Sequence, residues 1–201
     1  MYLMSQVPEL WKRVAYPSLK PLGSWVADYH QRIAFMRSWL RQGLPKSFWL
    51  PGFFFPQGLM TGVLQTHARK YGIAIDSLSF AFQVSQLKEP AEIVDAPEDG
   101  ILINGLWLEG AQWQNGCLTE SSPDVMYSPL PVIHFTPVQD YVAPDTEYDC
   151  PLYKTSARAG ALSTTGQSTN FVLCVSLPIR EGTDRDHWIL QGVALLCMLN
   201  N

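Results

Sequence analysis

The sequence predicts an α+β protein, with a helical N-terminal part followed by an antiparallel sheet closed into a barrel or sandwich. Three observations lead to this prediction. Before residue 72, apolar residues recur at the period of an α-helix. After residue 72, apolar and polar residues alternate as they do in half-buried strands. The alternating segments are short and no helical pattern lies between them, which favours antiparallel connections.

The longest predicted helix runs from Leu22 to Gly43. Pro21 precedes it, and Ser24 is placed to cap its first free N–H groups. The residues expected to face the core lie at helical spacing and are Trp25, Tyr29, Ile33, Met36 and Leu40. The polar residues that fall mainly outside this stripe are Asp28, Gln31, Arg32, Arg37 and Arg41.

Two shorter helices complete the helical part. One covers Val7 to Val14. The other begins at Pro56, which suits a first helical turn, and ends at Gly72, which suits the residue after a helix. A boundary between two parts, residues 1–72 and 73–201, is therefore expected at this glycine.

The strands are predicted from alternation and turn signals. Leu78 to Val84 alternates strictly, and an acidic, proline-containing loop follows at residues 85–99. The pair Asn115-Gly116 is typical of a tight hairpin turn. The further predicted strands are Ile101–Leu108, Gln112–Leu118 (which contains that turn), Pro131–Val138, Glu147–Lys154, Phe171–Leu177 and Trp188–Leu199.

An unusually aromatic connector, KSFWLPGFFFPQGLM, spans residues 46–60. Eight of its fifteen residues are Phe, Trp, Leu or Met, and Lys46 alone is charged. A small helical part has limited room for so much apolar surface, so the stretch indicates either core or a face that contacts a partner. The aromatic candidates for these two roles are Phe48, Trp49, Phe53, Phe54 and Phe55.

The net charge of −4 conceals an uneven distribution. Residues 1–72 hold nine Lys and Arg against two Asp and Glu, whereas residues 73–201 hold five against sixteen. Two solvated faces would explain this pattern. A basic part that lies against an acidic partner would also explain it, with Arg37 and Arg41 as candidate contacts.

Motifs for catalysis or cofactor binding are weak. The two Lys-Ser/Thr pairs, at Lys46 and Lys154, lack the glycine of a P-loop, so we predict no nucleotide site in this segment. None of the four histidines lies four residues from another His or Cys in a ligand-like arrangement, so we predict no metal site and no other cofactor. The remaining candidates for an enzyme site are His134 and the loop 156–170, SARAGALSTTGQSTN. Nucleic-acid binding is disfavoured by the acidic second part, and no apolar run is long enough to predict a membrane span.

Several long segments together resemble the C-terminal domain of dynein heavy chains. They include AYPSLKPLGSWVADYHQRIAFMRSWL, LPKSFWLPGFFFPQGLMTGVLQTHARKYGIAID, DGILINGLWLEGAQW, LPVIHFTPV, CPLYKTSARAGALSTTGQSTNFVLCVSLP and HWILQGVALLC. The resemblance runs in order from about Gln6 to Cys197. It is stronger to axonemal (ciliary and flagellar) heavy chains than to cytoplasmic ones.

The resemblance implies a role inside a larger motor. Dynein heavy chains are ATP-driven, minus-end-directed microtubule motors, built on a ring of six AAA+ modules with a coiled-coil stalk. The C-terminal domain follows the sixth module, lies on the ring face opposite the linker, and consists of helices and an incomplete antiparallel barrel. It is non-catalytic, so ATP and Mg²⁺ belong to the ring.

The resemblance also implies partners and a location. The partners are the ring of the same polypeptide and, through the parent motor, dynein subunits and microtubules. The location is the cytoplasm and the axoneme of cilia or flagella. A helix upstream of Met1 is expected from the family pattern. The alternatives are an independent enzyme and a free-standing module that binds an acidic partner such as tubulin.

Overall fold

A computed structural model describes residues 9–87, 89–158 and 170–199, and it confirms an α+β architecture of helices followed by sheets. The start of the first predicted helix and residues 159–169 of the predicted loop 156–170 lie outside the described residues. None of the helices within the described ranges is long and apolar enough to cross a membrane.

The helical part has the predicted order of helices. They are α1 (Glu9–Val14), α2 (Leu22–Gln42) and α3 (Pro56–Tyr71). Gly72 follows α3 with φ of +66°, a left-handed conformation that glycine adopts without strain. The predicted cap at Ser24 is wrong. Pro21, whose backbone is extended, precedes the first turn, and Ser24 already lies inside the helix.

The buried face of α2 differs from the predicted apolar stripe. Trp25, Asp28 and Arg32 are buried, whereas Tyr29 is 39% exposed and Leu40 is 87% exposed. The helix is thus rotated so that an oppositely charged pair one turn apart faces inward. The burial of these two charges is tolerated because the negative charge of Asp28 lies beside the positive charge of Arg32.

Eleven strands lie in the described ranges. In sequence order they are β1 (Phe48–Trp49), β2 (Leu78–Val84), β3 (Ile101–Asn104), β4 (Trp107–Glu109), β5 (Ala111–Gln114), β6 (Cys117–Glu120), β7 (Tyr127–Pro129), β8 (Ile133–Gln139), β9 (Glu147–Tyr153), β10 (Phe171–Pro178) and β11 (Ala194–Leu196). A fourth helix, α4 (Arg185–Gln191), lies between the last two strands.

The strands form two open sheets and a hairpin. One sheet has the order β1-β3-β8-β2, the other has the order β10-β9-β11-β4-β7, and β5 pairs with β6. Most pairs are antiparallel, but β1 with β3 and β9 with β11 are parallel. The sheets are therefore mixed, and no sheet among the described strands closes into a barrel.

Two predicted strands are wrong in their extent. Ile101–Leu108 is two strands in different sheets, because the backbone passes from one sheet to the other at Gly105, whose φ is +86°. Trp188–Leu199 is mostly not a strand. It begins within α4, which Asp184 caps, and only Ala194–Leu196 extends into a sheet.

One continuous core joins the helical and strand parts. Phe48, Leu50 and Met60 belong to the same buried cluster as Ile133 and Phe135 of β8. The side chain of Gln57 adds a polar link, since its amide donates to the Phe171 carbonyl at 2.7 Å. Residues on both sides of Gly72 therefore contribute to a single hydrophobic core.

Candidate interaction surface

The aromatic connector contributes one group of rings that faces inward. Phe48 is buried, and Trp49 and Phe53 are half-buried. They pack edge-on against Phe35 and Trp39 of α2, with ring centroids 5.5 to 6.0 Å apart for the pairs Trp39–Phe48, Phe35–Trp49, Phe35–Phe53 and Trp39–Phe53. This inner group fastens α2 to the first strand of the four-stranded sheet.

The Trp49 indole needs two glycines beside it. A Cβ at Gly52 would lie 2.7 Å from Trp49 Cε3, and a Cβ at Gly105 would lie 2.5 Å from Trp49 Cδ1. Both separations are shorter than van der Waals contact, so neither position has room for a side chain. The Trp49 ring of the aromatic connector thus packs closely against Gly105, where the backbone passes from one sheet to the other.

A second group of rings from the connector and its surroundings faces outward. Phe54 is 42% exposed and packs with Tyr16 and Tyr29, at centroid distances of 5.5 and 6.5 Å. Trp25 stacks between the same two tyrosines, 5.6 Å from each. Together with Trp11 these rings line an aromatic groove of about 530 Å³. Phe55, 65% exposed, lies further along the connector.

A buried ion pair lies between the inner and outer rings. Arg32 Nε donates to Asp28 Oδ2 at 2.7 Å, and the Tyr16 hydroxyl donates to the same oxygen at 2.7 Å. Lys20 approaches the other carboxylate oxygen at 3.4 Å. Burial by itself would raise the pKa of Asp28, but the hydrogen bonds from Arg32 and Tyr16 outweigh it and lower that pKa. Burial and the Asp28 carboxylate raise the pKa of Tyr16.

The Arg32 guanidinium connects three distant parts of the sequence. Nη1 donates to the Phe53 carbonyl at 3.2 Å, and Nη2 donates to the Met198 sulfur at 2.8 Å. Its Cζ lies 4.0 Å from the centre of the Tyr16 ring, a cation–π contact. The prediction that Arg32 lies outside the core is therefore wrong. Its spacing of four residues from Asp28 was the available signal for a helical ion pair.

The outer face of α2 forms a second depression, which we call the α2 trough. It has a volume of about 850 Å³ and is lined by Tyr29, His30, Ile33, Ala34, Arg37, Ser38, Arg41 and Gln42. Arg37 and Arg41 are exposed and form no salt bridge with any residue that the structure describes. The two predicted arginine contacts therefore lie on one open face.

Of the enzyme candidates from the sequence, His134 contacts a backbone carbonyl, and residues 159–169 of the loop 156–170 lie outside the described residues. His134 Nε2 lies 2.8 Å from the Asp99 carbonyl, which ties β8 to the loop at 85–99. Asp99 also pairs with Lys70 of α3 at 2.9 Å. Within residues 9–87, 89–158 and 170–199, no group of three or more His, Cys, Asp and Glu is placed to hold a metal ion.

Comparison with known proteins identifies the family. The family model for the C-terminal domain of the dynein heavy chain matches residues 2–197. This protein belongs to that family. Human "Dynein axonemal heavy chain 6" is 47% identical over 220 residues, which cover 99% of the present sequence and 5% of that protein. Human "Dynein axonemal heavy chain 1" is 49% identical over 197 residues, which cover 96% of the present sequence and 4% of that protein.

A mouse relative, "Dynein axonemal heavy chain 3", is 47% identical over 203 residues, which cover 99% of the present sequence. This dynein C-terminal domain spans about 5% of the length of such relatives. Its exposed aromatic groove and trough are thus features of a small segment whose relatives are much longer proteins.

In this dynein C-terminal domain, we expect replacing a buried inner ring with alanine to destabilise the fold more than replacing an exposed ring. Phe53→Ala is expected to lower the free energy of unfolding by about 2 kcal/mol, because Phe53 packs against three rings of the core side. Phe55→Ala is the matched control and should change it by less than about 0.5 kcal/mol, because that ring is mostly exposed. Urea unfolding of the two variants measures both values. Equal losses would contradict the division into inner and outer rings.

Proposed function

We propose that the domain is a non-catalytic module of an axonemal dynein heavy chain, which packs on the AAA+ ring of its own polypeptide and modulates motor output. The motor is expected to act in the axoneme of cilia or flagella, because the relatives are named axonemal heavy chains. ATP and Mg²⁺ would then be used by the ring, and this segment needs no cofactor of its own.

One observation carries the proposal: open apolar and basic surface on a segment that spans only about 5% of its relatives' length. Aromatic rings left exposed in a small domain are typical of a contact with another surface. Phe54 and Phe55 provide such rings, and Arg37 and Arg41 provide charge on the neighbouring helix. The rest of the same heavy chain is a partner that is always present.

The proposal is tested by removing the domain from the parent motor. Residues 1–201 should be removed together, because residues on both sides of Gly72 share one core and a partial deletion would expose it. We expect microtubule-stimulated ATPase activity to persist, while gliding velocity or stall force changes. The readouts are ATPase rate and microtubule gliding under load.

The control is the parent motor with an inserted flexible linker just before residue 1, which leaves the domain present. A linker motor that behaves as wild type shows that any effect of the deletion is due to the missing domain. Loss of all ATPase activity in the deletion, or no change in velocity and force, would each contradict a modulating role.

A second candidate is a free-standing module that binds an acidic partner such as a tubulin tail. The observation that favours it is the pair of exposed arginines in the α2 trough, whose lining holds no carboxylate. Co-sedimentation of the isolated domain with microtubules, abolished by moderate salt, would support it, because screening weakens contacts between exposed charges.

A further inference from the structure

We propose that the α2 trough binds an acidic amphipathic helix of the motor ring, and that a ridge of that helix packs into the groove along α2. This inference rests on the proposed function and adds to it the contact face and the chemistry of the partner. It depends on three features of the described residues: the arrangement of the trough residues, their charge, and the continuity of the trough with the aromatic groove.

The lining residues of the trough form two parallel rows along α2. One row is Tyr29, Ile33, Arg37 and Arg41, and the other is His30, Ala34, Ser38 and Gln42. Each row repeats every four residues, which is the spacing of a ridge on a helix surface. The depression between the rows is therefore a groove that an i±3n ridge of a second, nearly aligned helix can occupy, at a crossing angle of about 20°.

The small side chains of the second row make a close approach possible. Ala34 and Ser38 lie at its centre, and both are exposed. Helix axes in packed pairs are about 8–10 Å apart, and short side chains at the contact allow the lower end of that range. The rows extend over about twelve residues, or about 18 Å at the helical rise, which matches roughly three turns of a partner helix.

The charge of the trough defines the partner's chemistry. Two of its eight lining residues are arginines and none is a carboxylate. Arg37 and Arg41 are four residues apart, so Asp or Glu residues one turn apart on a partner helix would face both. Both arginine side chains are exposed and form no salt bridge within the described residues.

The trough continues into the aromatic groove, because Tyr29 and His30 line both depressions. A helix lying along α2 would meet arginines at one end and the rings of Trp11 and Phe54 at the other. The expected partner therefore has acidic residues towards the α2 C-terminus and apolar residues towards the aromatic groove. A disordered acidic tail would use the charges but not the small-residue groove or the rings.

Site-specific photo-crosslinking in the purified parent heavy chain tests this inference. A benzoylphenylalanine in place of Gln42, at the arginine end of the trough, leaves Ala34 and Ser38 small. It is expected to crosslink to a helical segment of the ring that carries acidic residues one turn apart. The matched control is benzoylphenylalanine at Gln65, which is exposed on α3 and outside the trough. Crosslinks are mapped by mass spectrometry of the purified motor.

Charge reversal provides the second measurement. With Arg37→Glu and Arg41→Glu together, we expect the crosslink yield at position 42 to fall about tenfold, which corresponds to about 1.4 kcal/mol of lost contact energy. Arg69→Glu is the matched control, because Arg69 is an exposed arginine at the end of α3 and does not line the trough. It should leave the yield unchanged.

Three outcomes would overturn the inference: no crosslink from position 42, a crosslink to a segment without acidic residues, or a crosslink to a second copy of this domain or to tubulin. The proposed function is tested separately, by the effect of deleting residues 1–201 on ATPase rate and microtubule gliding. If deletion changes velocity while position 42 stays uncrosslinked, the domain modulates the motor through another face and only the present inference fails.

Discussion

Arg32→Met is expected to lower the free energy of unfolding of the domain by about 3–5 kcal/mol, the range typical of breaking a buried ion pair. The reason is that Asp28 stays buried without the guanidinium that compensates its charge. The substitution also removes the donors to the Phe53 carbonyl and the Met198 sulfur. Urea or thermal unfolding of the wild type and the variant, at neutral pH, measures the loss.

The control for this prediction removes both charges. Asp28→Leu combined with Arg32→Met leaves no unpaired charge, so it should cost less than Arg32→Met alone. Comparing the two variants separates the cost of leaving the Asp28 carboxylate buried and unpaired from the cost of the packing that is lost with the aliphatic part of Arg32. A double variant less stable than the single one would show that packing, and not charge, dominates at this site.

The pH dependence of the same variant gives an independent readout. The pKa of Asp28 is lowered in the folded wild type, so its contribution to stability is present above the unfolded pKa of about 3.9 and is lost as pH falls through the folded pKa. In Arg32→Met, burial without the arginine favours the protonated carboxyl. The difference in stability between wild type and variant should therefore narrow as the solution is made more acidic.

Trp188→Ala is expected to cost about 3–5 kcal/mol, as large-to-small changes of buried aromatic residues do. Trp188 is 2% exposed and belongs to the main core cluster, so its loss leaves a large cavity under α4. Thermal unfolding of the variant, followed by near-UV and far-UV circular dichroism, measures the shift.

The matched control is Leu190→Ala, two residues later. In α4 this leucine is 87% exposed, so its truncation should change stability by less than about 0.5 kcal/mol. In a strand, residues two apart face the same side of the sheet, and the two substitutions would then have similar costs. Comparable losses at positions 188 and 190 would contradict the helix.

The helix bounds could be predicted closely because local residues determine them. Pro56 suits the first turn of α3 and Gly72 takes the left-handed conformation after it, and both signals are visible in the sequence. The alternation of β2 was equally local. Its predicted bounds, Leu78 and Val84, agree with the structure.

The parts that could not be predicted depend on contacts between distant residues. The buried face of α2 is decided by Tyr16, Phe53 and Met198 around Arg32, and hydrophobic periodicity counts a charged residue as exposed. The run WILQGVALLC was interpreted as one strand because its apolar residues are nearly continuous. Gly192 within it, which closes α4 in a left-handed conformation, was the missed signal.

The candidate surface residues could be chosen from the sequence, but their arrangement in space could not be predicted from it. The five aromatic residues of the connector and the two arginines were identified from the sequence. Their division into inner rings, outer rings and a separate trough on α2 arises from the fold, because Phe35 and Trp39 of α2 cover Phe48, Trp49 and Phe53 and leave Phe54 and Phe55 exposed. Whether Phe54, Phe55, Arg37 and Arg41 contact the ring of the motor remains the prediction to be tested.

The contact between Arg32 and Met198 has a consequence for how the protein is made. These two residues are 166 positions apart, and a polypeptide emerging from the ribosome presents the first long before the second. Contacts of such sequence separation form late, after much loop-closure entropy has been lost. During translation the Arg32 guanidinium therefore lacks its Met198 contact until residue 198 has been synthesised, and the ion pair of α2 stays partly hydrated until then.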